Sequence, residues 1–241
     1  MERRHFDWDG ALNARDLGGL PTVDGGRTRY GVLFRSDSTS TLSDHGRRDL
    51  VGHGVRTIVD LRSARELEKE PNPFAAVDGI EYRHMPFNDP VVEARLETMD
   101  SPPDRYETMI EMSGARIAAI FDALASGPRS VLFHCMAGRD RTGLVAALAL
   151  SLAGVPDGEI EDDYLLTDAR MQPRYEAWRV ELDEVRLERF RRSEREARQS
   201  IRSALARVRA GWGGVAAYLA AHGAAVAAVE RLRAELVDAE R

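Results

Sequence analysis

The sequence predicts an α/β fold: a central, mostly parallel sheet covered by helices, followed by a C-terminal helical region. Three observations predict it. Short apolar runs ending in charge alternate with helix-length segments, the pattern of parallel strands joined by helical crossovers. The stretch "VLFHCMAGRDRTGLVAALAL", Val131 to Leu150, passes from an apolar strand through a turn of Gly and charge into an apolar helix. From Asp157 onward strand signals stop and only helical periodicity remains.

The elements follow in order. "GVLFRS" (Gly31–Ser36) reads as a short buried strand with a polar exit. Thr41 and Asp44 have the spacing of a capping box before a short helix, which Gly52 and Gly54 end. "RTIVDLRS" (Arg56–Ser63) is a second buried strand, and "AREL" opens another helical turn. "IEYRHMPF" (Ile80–Phe87) alternates as a third strand. Asn88 to Pro103 reads as a loop holding a short helix. "RYETMIEMSGARIAAIFDALASG" is an amphipathic helix or a broken pair, closed by Gly127-Pro128. "RSVLFHC" is the fourth strand, and Thr142 to Ala153 is an apolar helix suited to the middle of a domain. Trp178, Leu182, Val185, Ala197, Ile201, Leu205, Val208 and Trp212 then form a helical stripe, read as one long helix or a hairpin. Two short Ala-rich helices separated by Gly223 complete the chain, which is read as a single domain over 1–241.

Composition narrows the function. The chain has 241 residues, 43% of them hydrophobic, enough for a sizeable core. A single cysteine excludes an internal disulfide framework. "MERRHFDWDGALN" lacks the apolar run of a secretory signal and no window has the length of a membrane span, so a soluble, cytoplasmic protein is expected. A net charge of −6 argues against a nucleic-acid partner. Between Arg174 and Arg209, however, eleven Arg face seven Asp and Glu. The bland interpretation is a solvated face with Glu184 and Glu188 set against Arg191 and Arg192. The sharper one makes 170–212 a helical insertion or lid, able to shield a thiolate and to attract anionic headgroups in peripheral membrane contact.

The lone Cys135 is informative because of what surrounds it. With 33 Arg in the chain, Cys135 followed six positions later by Arg141 is weak by itself. The string "HCMAGRDRTG" in a strand-to-helix turn is specific, and each part answers a need of phosphate-ester chemistry. A helix N-terminus and nearby cations favour a thiolate at Cys135. The backbone N–H groups from Met136 through Ala137, Gly138, Arg139 and Asp140 to Arg141 can cradle phosphoryl oxygens. Gly138 permits the bend, and the Arg141 guanidinium can grip two oxygens at once. Thr142, before Gly143, can donate to the sulfur. Arg35, Asp60, Arg62 and Cys135 all fall at strand carboxyl ends, where ligands bind in such sheets. No His or Asp pair has metal-ligand spacing, so neither a metal nor a cofactor is expected.

"HCMAGRDRTG" resembles the signature loop of the protein tyrosine phosphatases. "NARDLGGLPTVDG" followed by "GVLFRSD", "GVRTIVDLRSARE" and "DDYLLTDA" resemble the bacterial atypical branch of that superfamily. The likeness covers roughly Asn13 to Ala169. It implies a tyrosine-phosphatase-like fold with a sheet of four to five strands. It also implies hydrolysis of phosphotyrosine in proteins, and often of phosphoserine, phosphothreonine or phosphoinositides, through a phosphocysteine. Where the family usually has Lys, this chain has Arg139, which keeps the charge that contacts extra phosphates in phosphoinositide-cleaving relatives. The Trp-Pro-Asp tripeptide that supplies the acid elsewhere is absent. Asp140 is the first candidate acid, Asp60 the second and Asp89 the third. Asp60 and Arg62 can instead pair with each other, Arg35 can pin the loop, and His134 can orient the cysteine through the backbone. A catalytically silent phosphate-recognition module is the alternative function. Arsenate reduction would need partner cysteines, and sulfur-transfer loops seldom carry this string.

Overall fold

In a computed structural model, which describes residues 4–127 and 130–238, five strands form one sheet in the order β1-β2-β5-β3-β4. The strands are β1 (Arg15–Asp16), β2 (Leu33–Ser36), β3 (Thr57–Asp60), β4 (Glu81–His84) and β5 (Val131–His134). Only β1 is antiparallel, to β2; the other pairings are parallel. β2, β3 and β5 are buried along their whole length, as central parallel strands with both faces covered must be. Leu33, Val59 and Phe133 point into the larger apolar cluster, while Phe34, Ile58 and Leu132 point into the smaller one on the opposite face. The register sets Ser36, His134, Asp60 and His84 in one row across the carboxyl edge, with Cys135 immediately beyond it.

The helices are α1 (Asp44–Gly52), α2 (Ala64–Lys69), α3 (Pro90–Glu97), α4 (Pro102–Met112), α5 (Gly114–Ser126) and α6 (Asp140–Leu152), then α7 (Asp157–Val180), α8 (Glu184–Arg195), α9 (Ala197–Trp212), α10 (Val215–Ala221) and α11 (Val226–Leu236). α6 is apolar nearly all round and buried from Thr142 to Leu150, the central helix its composition predicts. The expected amphipathic segment is a broken pair, α4 and α5, that meets at Ser113. The Pro128 of its expected closing turn, and Arg129 of the expected fourth strand, lie outside the described residues.

Three local expectations are corrected. The cap of α1 is Ser43, whose hydroxyl accepts from the Gly46 N–H; the Thr41 hydroxyl instead donates to the Gly10 and Ser38 carbonyls. The charged C-terminal segment forms neither one helix nor a hairpin but α7, α8 and α9. Its stripe is core only in α9, where Ala197, Ile201, Leu205 and Val208 are buried; Val185 on α8 is 66% exposed. Glu188 pairs with Arg195 at 2.6 Å and Arg192 with Glu196 at 2.7 Å, rather than across the 184/188 and 191/192 set. The 170–212 segment is therefore not uniform: α9 belongs to the core, whereas α8 has no buried residue. No helix among the described residues is long and apolar enough to cross a membrane.

Candidate active site

The loop after β5 is shaped by what holds its carbonyls. Gly138 has φ +67°, and a Cβ there would lie 2.4 Å from the Ser36 carbonyl oxygen, so both the turn and the close approach require glycine. The Met136 carbonyl accepts from the Ser38 N–H at 3.0 Å. The Ala137 carbonyl accepts from Asn13 Nδ2 at 3.0 Å, and that of Gly138 from Arg35 Nη2 at 2.8 Å. With the oxygens turned outward, none of the N–H groups from Met136 to Arg141 has an acceptor among the described residues. Six donors in a tight loop at the first turn of α6 are a set that can take the oxygens of an anion. Cys135 lies at its base, 2% exposed.

Beneath the loop is a buried ionic layer that the sequence concealed. The Asp163 carboxylate, on α7, pairs with Arg4, with Arg15 (3.3 Å) and with Arg35 (2.8 Å). Burial alone would raise the pKa of Asp163; the three guanidinium groups outweigh it and hold this carboxyl well below the usual carboxylate range. Arg35 thus joins this layer to the loop and does not face the anion site. Asn13 is fixed in turn by the Asp37 carboxylate, which accepts its N–H at 2.9 Å. Asn13 and Arg15 of "NARDLGG" and Asp163 and Thr167 of "DDYLLTDA" are therefore the groups that shape the loop.

At the neighbouring strand end Asp60 and Arg62, both fully buried, pair at 2.7 Å. Asp60 also accepts from Asn72 and from the Tyr82 hydroxyl, each at 3.0 Å. Burial opposes its ionisation, but the hydrogen bonds and charge of Arg62, with the Asn72 amide, prevail and hold its carboxyl below the ordinary range. Asp60 is thus held as the buried partner of Arg62, the pairing that the sequence allowed as the alternative to a catalytic role. Arg62 is turned from the anion site, bonding Ser40 Oγ and the Glu70 carbonyl at 2.9 Å. His134 Nδ1 lies 3.1 Å from the Cys135 carbonyl, which can only accept, so Nδ1 carries the proton and Nε2 accepts from Asn72 at 3.1 Å. Burial lowers the pKa of His134, in keeping with this neutral form. Asp89 caps α3, its Oδ1 accepting from the Val91 and Val92 N–H groups at 2.9 Å.

Above the loop is a cavity of about 550 Å³ whose walls include Glu66, Tyr106, Asp140, Arg141, Leu182 and Phe190. Arg141 meets Glu66 through two parallel bonds, Nη1 to Oε2 at 2.5 Å and Nη2 to Oε1 at 2.7 Å. Glu66 also accepts the Ser63 N–H at 2.7 Å as half of the capping box of α2. A guanidinium has five N–H donors, so this clamp leaves Nε and further hydrogens of Arg141 for a ligand. The Thr142 hydroxyl is buried with no hydrogen-bond partner among the described residues. Gly143 faces Tyr164 rather than the cavity, since a Cβ there would lie 2.6 Å from that ring.

Arg139 departs from the expected substrate contact. It is buried, with Nη1 on Ser193 Oγ at 2.9 Å, Nη2 on the Ser193 carbonyl and Nε 3.0 Å from Asp168 Oδ1. Its charge ties the loop to α7 and α8. α8 is fastened further by Arg189 to Asp100 at 2.7 Å and by the Phe190 ring edge-on to Tyr175.

Burial pushes Asp168 up to about 6; Arg139 opposes the rise, and Asp140 and Glu194 add to it. An unfolded Asp releases its proton near 3.9, so between these values the folded state binds the extra proton. Stability contributed by this group is complete below the lower value and lost as pH rises through the upper one. Wild type is expected to lose about 2–3 kcal/mol relative to Asp168→Asn between roughly pH 4 and pH 7. Urea unfolding of both proteins across that range measures it; parallel curves would refute it.

A sequence profile of the tyrosine phosphatase family matches residues 6–238. The triple specificity protein phosphatase PtpB of Mycobacterium tuberculosis is 34% identical over 189 residues, 65% of this chain and 66% of that protein. A putative tyrosine-protein phosphatase of Cupriavidus necator is 33% identical over 183 residues, 70% of this chain and 64% of its own length. A tyrosine-protein phosphatase of Nostoc commune is 33% identical over 141 residues, 56% of this chain and 48% of its own. The chain thus spans between 48% and 66% of these relatives.

Proposed function

As this chain belongs to the tyrosine phosphatase family, we propose that it is a cysteine-dependent phosphomonoester hydrolase acting on phosphotyrosine in proteins. The observation that carries this reading is the loop of six N–H groups without acceptors among the described residues, set around a single buried cysteine with Arg141 clamped beside it. The N–H groups and the free edge of Arg141 hold the phosphoryl oxygens and meet the charge that grows on them in the transition state. The Cys135 thiolate attacks phosphorus, forming the S–P bond as the bond to the leaving oxygen breaks. Asp140, at the cavity wall, gives the leaving oxygen its proton. Water then attacks phosphorus, Asp140 takes a proton from it, and the S–P bond breaks to release phosphate and restore the thiolate. The Thr142 hydroxyl, without another partner among the described residues, donates to the sulfur.

His134, Arg35 and Arg62 act here as supports for the loop and strand ends. The cover over the site is assigned to α8 alone, because α9 is part of the core. The cavity has room for more than a phosphoryl group, which supports phosphoinositides as a second substrate class beside phosphotyrosine. The test is phosphate release from a phosphotyrosine peptide and from a short-chain phosphoinositide, each with excess chelator. Release from the peptide, undiminished by chelator, is expected, and the ratio between the two ranks protein against lipid. Tight binding without release would make the loop a recognition module instead.

A further inference from the structure

We infer that Tyr106 and Tyr164 form a two-phenol relay that positions Asp140 for proton transfer to the leaving group. This inference rests on the proposed role of Asp140. The three residues come from separate elements. Tyr106 is on α4 and 5% exposed, Tyr164 is on α7 and 2% exposed, and Asp140 opens α6 at the cavity wall. The Tyr106 hydroxyl donates to Asp140 Oδ1. The Tyr164 hydroxyl lies 2.5 Å from that of Tyr106, and the rings meet edge to face at 6.2 Å. Tyr106 has one hydroxyl hydrogen and gives it to the carboxylate, so Tyr164 must be the donor to Tyr106. The order is therefore Tyr164 to Tyr106 to Asp140.

Packing does not account for these hydroxyls. A phenylalanine pair would fill the same space without the cost of burying two polar groups. Among the described residues, Tyr106 bonds only Tyr164 and Asp140, and Tyr164 bonds only Tyr106. The space for Tyr164 comes from the absent side chain of Gly143, so the "RTG" end of the signature string serves the relay. Burial, and after it the Asp140 charge, pushes the Tyr106 pKa far up, and burial raises that of Tyr164 as well. Both phenols stay protonated and act as fixed donors.

The relay makes the two oxygens of Asp140 unequal. Oδ1 takes the phenol, while Oδ2 has no partner among the described residues. The transferable proton belongs on Oδ2. As the bond from phosphorus to the leaving oxygen breaks, that proton moves from Oδ2 to the leaving oxygen. The negative charge left on the carboxylate is met at Oδ1 by Tyr106, itself polarised by Tyr164. The bond is stronger after transfer than before, so it lowers the barrier rather than merely tightening binding. In the second step it holds the ionised carboxylate ready to accept a proton from water.

The discriminating variable is the leaving group. p-Nitrophenolate departs with little help, whereas phenolate and the serine alkoxide need a proton. Tyr106→Phe is expected to lower kcat about 3-fold on p-nitrophenyl phosphate and about 30-fold on phenyl phosphate, within the range of general acid catalysis, with KM unchanged. Tyr164→Phe should show the same bias more weakly, and it carries the test if Tyr106→Phe folds poorly. In an Asp140→Asn background, Tyr106→Phe should add no further bias, because the two act as one unit. Equal losses on both substrates, or none, in a protein whose turnover still depends on Cys135 would overturn the relay alone. Turnover independent of Cys135 would overturn the relay together with the phosphatase reading.

Discussion

Cys135→Ser is expected to lower turnover by at least about 10⁴-fold while a phosphotyrosine peptide still binds. The substitution replaces one chalcogen atom and leaves the loop intact, because the loop is shaped by its carbonyl partners and not by the sulfur. Ser38, Asn13 and Arg35 still hold the carbonyls of Met136, Ala137 and Gly138 outward. The N–H donors and Arg141 are then still aimed at the phosphoryl group. What disappears is the nucleophile: a thiolate is within reach near neutral pH at a helix N-terminus, a serine alkoxide is not. Phosphate release and isothermal titration on the same preparation separate the two effects. Loss of binding along with turnover would mean that the sulfur organises the loop; retained turnover would remove the cysteine from the chemistry.

Asp163→Asn carries the largest expected cost in stability, about 3–5 kcal/mol, the cost of breaking a buried ion pair from one side. One carboxylate balances Arg4, Arg15 and Arg35, all buried. The amide keeps the shape but leaves three guanidinium groups without a counter-charge. Domains of this size have only about 5–15 kcal/mol in total, so a large drop in the urea midpoint is expected. The same linkage gives wild type an acid sensitivity of known sign. The folded-state pKa of Asp163 is depressed, so its contribution is complete above the unfolded value near 3.9 and is lost as pH falls below it. A midpoint unchanged by Asp163→Asn would show that the layer beneath the loop is not what holds it.

Much of this was legible in the sequence where local chemistry decides. The four parallel strands, the helix after Cys135 and the split at Gly223 follow from apolar runs and glycine positions. β1 was not legible, because two charged residues bear no strand pattern and Arg15 is buried only by its distant partner Asp163. The long-range partners were hidden for a similar reason. Glu66 reaches Arg141 across 75 positions and Tyr106 reaches Asp140 across 34, and periodicity carries no information on such pairs. Some signal was nevertheless present. Ser63 and Glu66 have capping-box spacing, which placed Glu66 at the first turn of α2. In "DDYLLTDA", Asp163 and Thr167, like Tyr164 and Asp168, stand four apart, and a helix brings each pair to one face. Arg139 misled because its charge suggested a substrate contact, while burial gave it to Asp168 and Ser193. The C-terminal stripe misled because Arg-rich α8 continues the apolar spacing of α9 without sharing its burial.

In the proposed reaction phosphorus passes through the sulfur of Cys135. Rapid acid quench of wild type during turnover of a phosphotyrosine peptide, followed by mass spectrometry of the Cys135-containing fragment, tests it directly. A transient gain of one phosphoryl group on that fragment, absent in Cys135→Ser, is expected. Steady turnover with the fragment never modified, in a protein fully active at the moment of quench, would contradict it.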